Sequence, residues 1–176
     1  QITGVCLAGI TSDQDTLTAA LKTFADTNSL IFTVTNPNGA TIANITAAAE
    51  DLASANGYFL AHADTDQTGD VAAAALGVLS VLKPWVTPTW KPINSDVNTY
   101  FTASEGSTLE SAKVNHILDL GDGVNRLSQA LTTLVTGTPK FIDITRSKYY
   151  IALALQSAIA QYRIATEKAP FTATGL

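Results

Sequence analysis

The chain has 176 residues, of which 46% are hydrophobic and only 14% are charged, and its formal net charge is −5. This length is typical of one domain built around a single core. Its ten Lys and Arg residues are scattered, which argues against the basic patch of a nucleic-acid-binding protein or of an anionic-membrane binder. A single cysteine (Cys6) and two distant histidines (His62, His116) exclude an intrachain disulfide and a zinc site of the usual kind.

The amino-terminal stretch QITGVCLAGI starts with Gln and has no charged lead. It predicts a mature end left after removal of a signal peptide, or a trimmed chain. Together with abundant Ser, Thr and Asn and a glycosylation sequon at Asn44, it predicts a secreted, extracellular or cell-wall protein. No apolar run reaches the roughly 18 residues of a membrane span, so no transmembrane segment is predicted.

Apolar periodicity predicts helices in the first half of the chain. Ser12 or Asp13 is a suitable N-cap for a helix that places Leu17, Leu21 and Phe24 on one face. Alanine-rich residues 41–63 and residues 71–82 are also typical of helices.

In the second half, the strongest helical pattern lies in residues 117–134, where apolar residues recur at spacings of three and four. Ser107 with Glu110 has the pattern of a capping box, and Gly137 with Pro139 marks an end, so we predict one helix over 107–136. His62 and His116 belong to no ligand-spaced cluster and are expected at the surface or at a cavity edge. Residues 142–165 are apolar on nearly every side, which is typical of a central helix enclosed by its neighbours.

These helices predict an all-α fold, in which residues 1–176 form a single-domain bundle of about five helices with an apolar interior. An alternative is an α+β fold, because SLIFTVT, NPNG and ATIANIT together have the alternation and turn residues of a β-hairpin near residues 29–46. The run YYIALAL also fits a buried strand.

A proline-rich joint interrupts the helical pattern at residues 83–92, KPWVTPTWKP. Interior prolines would cost a helix about 3 kcal/mol each, so the helix should end near Lys83 and resume after Pro92, with Asn94 or Ser95 as a cap. The joint holds both tryptophans, Trp85 and Trp90, which are expected either at the mouth of a ligand cavity or as core that closes one end of the bundle.

No motif of a known catalytic site occurs in the chain: it has no G-x-S-x-G, no H-E-x-x-H and no glycine-rich phosphate loop. The run DTDQTGD (64–70) imitates the start of a calcium loop, but Ala75 stands where the closing Glu is required. We therefore predict a non-enzymatic protein without metal or cofactor, with a dispersed active site as the alternative.

Four segments of the chain have the pattern of amphipathic helices: DQDTLTAALKTFAD, VLSVLKPWVTPTWKPINSDVNTYF, LGDGVNRLSQALTTLV and YYIALALQSAIAQY. In pattern and order they resemble the successive helices of the fungal cell-wall galactomannoprotein family, which includes hydrophobic surface-binding proteins. The resemblance spans residues 13–165, and it implies a secreted fungal mannoprotein whose five-helix bundle binds long-chain fatty acids or other lipids in a hydrophobic cavity, or adheres to apolar surfaces. The proline triplet and the NPNG turn depart from the family pattern.

An acyl chain needs an elongated apolar cavity, which a helical bundle can open between facing helices. Tyr149, Tyr150 and Tyr162 offer hydroxyl donors for a carboxylate head, and Arg146 and Lys148 are the nearest cations. The alternative is a surface-active or adhesive cell-wall protein that binds hydrophobic surfaces. The candidate ligand-binding residues are Leu21, Phe24, Phe32, Leu52, Phe59, Leu79, Leu82, Trp85, Trp90, Leu120, Val124, Leu127, Tyr149, Leu155 and Ile159.

Overall fold

The computed structural model of the protein describes residues 4–6 and 11–165. The first three residues, on which the prediction of a processed amino terminus rests, lie outside the described part. The described elements, in chain order, are β1 (Gly4–Val5), α1 (Asp15–Asn28), β2 (Ile31–Val34), α2 (Ile42–Asp51), β3 (Gly57–Ala61), α3 (Val71–Val81), α4 (Ala103–Ser111), β4 (Asn115–Leu118), β5 (Arg126–Leu127) and α5 (Ile142–Ala165).

The strands form one five-stranded mixed sheet in the order β1-β2-β3-β4-β5. The first three pairs are parallel, with Phe32 opposite Gly57 and Leu60 opposite Asn115, and β5 runs antiparallel to β4. The fold is therefore α+β, and the prediction of an all-α helical bundle is wrong. The reason lies in β3, which is a short apolar run buried at every residue, so it lacks the alternation that marks a half-buried strand.

Two apolar clusters form the core, one on each face of the sheet. The first cluster contains Ile31 and Tyr58 from the strands and packs them against α3 and the start of α5. The second cluster contains Phe32 and Phe59, which point to the other face and pack against α1, α2 and α4. Successive strand residues alternate between faces, so the sheet separates the two clusters completely.

The hairpin of the alternative prediction is absent, because only its first half is a strand. The NPNG turn leads into α2, whose N-cap Thr41 accepts a hydrogen bond from the backbone N–H of Asn44. The predicted helix over 41–63 ends at Asp51, and Gly57–Ala61 is the central strand. The connection from β2 to β3 is thus a crossover helix between parallel strands.

The predicted helix over 107–136 is wrong. Helix α4 begins earlier, behind a capping box formed by Thr102 and Glu105, and it ends at Ser111. Strand β4 follows this helix, and a loop then connects β4 to β5. In the loop, the Asp119 carboxylate accepts hydrogen bonds from the backbone N–H groups of Gly121 and Gly123. Both glycines have positive φ, which turns the chain back on itself.

The proline-rich joint ends α3 where the sequence predicts, since α3 stops at Val81. The helix does not resume after Pro92, however, because the next one begins at Ala103. The joint instead runs beside β5: the Trp90 N–H donates to the Leu127 carbonyl oxygen at 2.7 Å, and Pro92 forms a β-bridge with Arg126. This segment follows the edge of the sheet.

Helix α5 is 24 residues long, as predicted, but it is not central. Its first turns pack on the sheet: Ile142 is fully buried, and the Thr145 hydroxyl donates to the Ala55 carbonyl oxygen. From residue 150 to residue 164 every residue is exposed. The prediction that other helices of the chain enclose α5 is therefore wrong for this part, residues 150–164, which we call the exposed end of α5.

Candidate functional site

The structure does not bring the predicted ligand-binding residues together in one cavity. Six of them are core residues divided between the two faces of the sheet: Leu21, Phe32, Leu52 and Phe59 on one face, and Leu79 and Leu127 on the other. Seven others are exposed on different parts of the surface: Phe24, Trp85, Trp90, Leu120, Val124, Leu155 and Ile159. The remaining two, Leu82 and Tyr149, line a surface groove at the base of α5.

This basal groove has a volume of about 410 Å³ and lies between three elements. Helix α5 forms one wall, the turn from α1 into β2 forms the second, and the end of α3 forms the third. Apolar contributions come from Leu30, Leu82, Pro84 and Leu153, and the polar groups are those of Arg146, Tyr149, Tyr150 and Gln156 with a few residues of the turn. The volume falls within the range of small-molecule sites.

Arg146 is the cation of the basal groove. One guanidinium nitrogen, Nη2, donates to the carbonyl oxygens of Leu79 and Leu82 at 2.6 and 2.5 Å, which caps the end of α3. The other nitrogen, Nη1, is buried and has no hydrogen-bond partner among the described residues, and Arg146 belongs to no ion pair among them. Burial lowers the pKa of Arg146, whereas the nearby Asp143 acts in the opposite direction. A desolvated cation of this kind favours an anion beside it.

The two tyrosines of the groove are held by neighbouring elements. The Tyr149 hydroxyl donates to the Asn56 side-chain oxygen at 2.5 Å. The ring of Tyr150 packs edge-on against Trp85, with 5.7 Å between centroids, and Lys83 Nζ lies 5.9 Å from the Trp85 ring. Trp85 is therefore a neighbour of the groove, but it and Trp90 are 56% and 64% exposed and do not close a core.

The exposed end of α5 presents several large apolar side chains at the surface of the described chain. Ile151, Leu155 and Ile159 repeat every four residues, and Tyr162 follows three residues later, so the four lie on one side of the helix. We call them the outer stripe. They are 57%, 58%, 55% and 65% exposed. The groove-lining Arg146, Tyr149 and Leu153 lie on the other side of α5.

A second concave surface of about 600 Å³ lies near the starts of α1 and α2. It includes three carboxylates, from Asp13, Asp15 and Asp51, but the described residues contain no group of three side chains that could hold a metal ion. Asn44 lies at its margin and is exposed in the first turn of α2. Whether its sequon is used stays a prediction.

The histidines are buried, whereas the sequence predicts them at the surface or at a cavity edge. His62 is 3% exposed, and its Nε2 lies 3.1 Å from the Asn36 carbonyl oxygen. His116 is 9% exposed, 4.0 Å from Glu110 and edge-on to the ring of Phe101. Burial lowers the pKa of both imidazoles, although nearby carboxylates oppose the shift. The backbone N–H of His116 donates to the Ser128 hydroxyl oxygen at 3.0 Å, and the Nδ1 atom of each ring has no hydrogen-bond partner among the described residues.

No protein-family model matches the chain, and the curated proteins contain no significant match to it. The resemblance to fungal cell-wall galactomannoproteins, the secreted location and the absence of enzymatic activity therefore stay predictions. None of the described helices combines the length and the hydropathy that crossing a bilayer requires.

The basal groove and the exposed end of α5 were not predicted as sites. One sequence signal pointed to the latter, because residues 149–162 are apolar on most sides and contain no charged residue. A helix of this composition is typical of an enclosed one. The sequence did not indicate that residues 150–164 would be exposed.

Proposed function

We propose that the protein is a non-enzymatic domain that assembles with another protein chain. In this assembly the exposed end of α5 packs against a helical surface of the partner. The observation that carries this proposal is the exposure of residues 150–164 on every side, in a segment with large apolar residues at seven positions. Exposed apolar patches of this kind mark protein interfaces.

Helix stability gives a second argument. Isolated helices of about 12–15 residues are only marginally stable in water, and most helical stability in proteins comes from packing of an apolar face. The exposed end has 15 residues, of which Tyr150 packs against Trp85 and Leu153 lines the basal groove. Beyond them, the side chains of Leu155 and Ile159 are more than half exposed. A partner that buries its apolar side chains would supply the missing stabilisation, at about 25 cal/mol for each Å² removed from water.

Hydrogen–deuterium exchange of the purified protein tests this function. We expect amides 150–164 to exchange much faster than those of α3 when the chain is monomeric, and to become protected when a partner occupies the helix. Slow exchange of these amides in a dilute monomer, independent of concentration, would contradict the proposal. It would mean that residues 150–164 are stable as a helix without a partner chain.

A second candidate function is binding of a fatty acid or similar amphiphile, moved from the predicted bundle cavity to the basal groove. The observation that favours it is Arg146, which lines the groove together with Leu82 and Leu153 and whose Nη1 has no hydrogen-bond partner among the described residues. A carboxylate would complete the hydrogen bonding of the guanidinium, while its alkyl chain would cover the apolar walls.

Calorimetric titration with decanoate and with decanol separates this candidate from non-specific adsorption. We expect one decanoate per chain, weaker binding of decanol, and weaker decanoate binding after Arg146→Gln. Lys148→Gln is the matched control, because it removes the same charge from an exposed position of α5 outside the groove. Equal binding of the acid and the alcohol would refute a site built on Arg146.

A further inference from the structure

Helix α4 covers the imidazole of His116. This residue is opposite Ala61 in the parallel pairing of β3 with β4, so its side chain lies on the face of the sheet where Leu109 of α4 also packs. The ring is so close to α4 that a Cβ added to Gly106 would lie 3.0 Å from both Cε1 and Nε2. The ring of Phe101 packs edge-on against it, with 6.2 Å between centroids. Water reaches this imidazole freely only when α4 moves away.

Glu110 is the charged side chain that faces the covered imidazole. Its Oε1 lies 4.0 Å from His116 Nδ1, which has no hydrogen-bond partner among the described residues. Phe101 and Gly106 on the side of α4, and Ser128 on the side of β5, are uncharged neighbours. Burial lowers the pKa of His116, and Glu110 opposes this shift without cancelling it. A proton on the covered ring is therefore unfavourable.

Helix α4 is attached to the domain by few buried residues. It has nine residues, of which Gly106 and Leu109 are buried. Its first turn is held by the capping box of Thr102 and Glu105, whose hydrogen bonds are exposed to solvent. Segments with few buried apolar contacts open locally at a lower free energy than the core of a domain. Helix α4 can therefore open while the sheet stays folded.

We propose that His116 and α4 form an acid-sensitive switch, in which proton uptake by the imidazole releases α4 from the sheet. This inference goes beyond the proposed assembly function and does not depend on it. In the closed state, α4 packs on the sheet and the ring beneath it is neutral. In the open state, α4 is detached and the ring binds a proton in water. Opening exposes the part of the apolar core that contains Leu109 and Val114.

Proton linkage determines the direction of the pH effect. The open state has the ordinary histidine pKa of 6.5, whereas the pKa of the closed state is lower. Above about pH 6.5 neither state binds the proton, so the closed state has its full stability. Below this pH the open state binds it first, and the opening constant rises by up to about tenfold for each pH unit until the pKa of the closed state is reached. Glu105 titrates at a lower pH, because hydrogen bonds with Thr102 lower its pKa.

Hydrogen–deuterium exchange of the full chain between about pH 7 and about pH 5 tests the switch, with each rate divided by the intrinsic rate at the same pH. We expect the amides of α4 to exchange faster than those of α3 throughout, and their opening to increase by up to about tenfold for each pH unit below about 6.5. Equal exchange of the two helices, or a flat response of α4, would overturn the inference. The amides of residues 150–164 in the same samples test the assembly function separately.

Three substitutions assign the effect to His116. His116→Gln should remove the pH dependence of α4 exchange. His62→Gln is the matched control and should preserve it, because the His62 ring lies beside Asn36 and not beneath α4. Glu110→Gln should enlarge the increase at the lowest pH, because the closed state loses the carboxylate that favours the proton.

Two results with these variants would overturn the switch. One is a pH dependence of α4 exchange that is equal in His116→Gln and in the wild type. The other is a flat α4 response in both the wild type and Glu110→Gln, which decides the question even if His116→Gln does not fold. Loss of the α4 response in His62→Gln would contradict it as well, because α4 would then open only when the whole domain unfolds.

Discussion

Replacing Asn115 by Ala discriminates between the observed sheet and the helix that the sequence predicts over the same residues. Asn115 is the first residue of β4 and is fully buried. Its side-chain amide donates to the carbonyl oxygens of Phe59 and Leu131, at 3.0 and 2.9 Å, and its side-chain oxygen accepts the Leu131 N–H at 2.8 Å. The side chain thus joins β3 to the segment that follows β5.

The expected loss of stability follows from these three hydrogen bonds. Each contributes about 1 kcal/mol, and the bonds to Leu131 are only partly buried. We therefore expect Asn115→Ala to lower the free energy of unfolding by about 3 kcal/mol, which for a chain of this size lowers the melting temperature by roughly 6–12 °C. On an exposed helix, the same substitution would be neutral or slightly stabilising.

Urea unfolding followed by circular dichroism measures this difference, because a change in midpoint without a change in slope reports stability alone. Asn28→Ala is the matched control: it removes an exposed Asn whose amide donates only to the Phe24 carbonyl oxygen, and it should change stability by less than about 0.5 kcal/mol. If Asn115→Ala were as mild as Asn28→Ala, the placement of β4 within the sheet would be refuted.

Three further predictions concern the core, the histidines and the tryptophans. Gly57→Ala should lower the free energy of unfolding in urea by about 1–3 kcal/mol or more, because a Cβ there would lie 2.8 Å from Phe32 Cζ and overlap the Thr133 hydroxyl. Gly77→Ala is the control and should be neutral or stabilising, because a Cβ at Gly77 has no other atom within 4 Å. The free energy of unfolding should fall as the pH drops from about 7 to 5, because burial lowers the pKa of His62 and His116 in the folded state and the unfolded chain then binds more protons. His62→Gln should flatten this pH dependence. An unchanged pH dependence in both His→Gln variants would contradict the prediction. Acrylamide should quench Trp85 and Trp90 in the native protein nearly as well as in urea, because both are more than half exposed; strong native protection would show instead that the joint is packed.

The predictable part of the fold consists of helices whose apolar face packs on the sheet. Helices α1 and α3 are found where apolar spacing and Pro84 place them, and the limits of α5 also agree with the sequence. The pattern of residues 117–134 misled because its members belong to different elements: Ile117 is in β4 and Leu127 is in β5, where they lie opposite each other. Two strands joined by a tight loop can satisfy helical spacing by coincidence.

The candidate sites were less predictable than the fold. Arg146 contacts the carbonyl oxygens of Leu79 and Leu82, more than 60 residues away along the chain, and no local pattern encodes such a contact. The composition of α5 did predict that its side chains need burial, but hydrophobicity is not directional and does not identify the burying surface. Only the course of the described chain shows that residues 150–164 are exposed.

The strand order also determines how the chain can fold as it is synthesised. Each parallel strand pairs with the strand that precedes it in sequence, and the first two pairings join residues only 25–27 positions apart, such as Gly4 with Ile31 and Phe32 with Gly57. The pairing of Leu60 with Asn115 spans 55 positions, which adds only about 0.6 kcal/mol of loop-closure entropy but requires α3, the joint and α4 to be present first. The sheet is therefore expected to grow from its amino-terminal edge, with β4 and β5 added last and α5 extending from a body that is already closed.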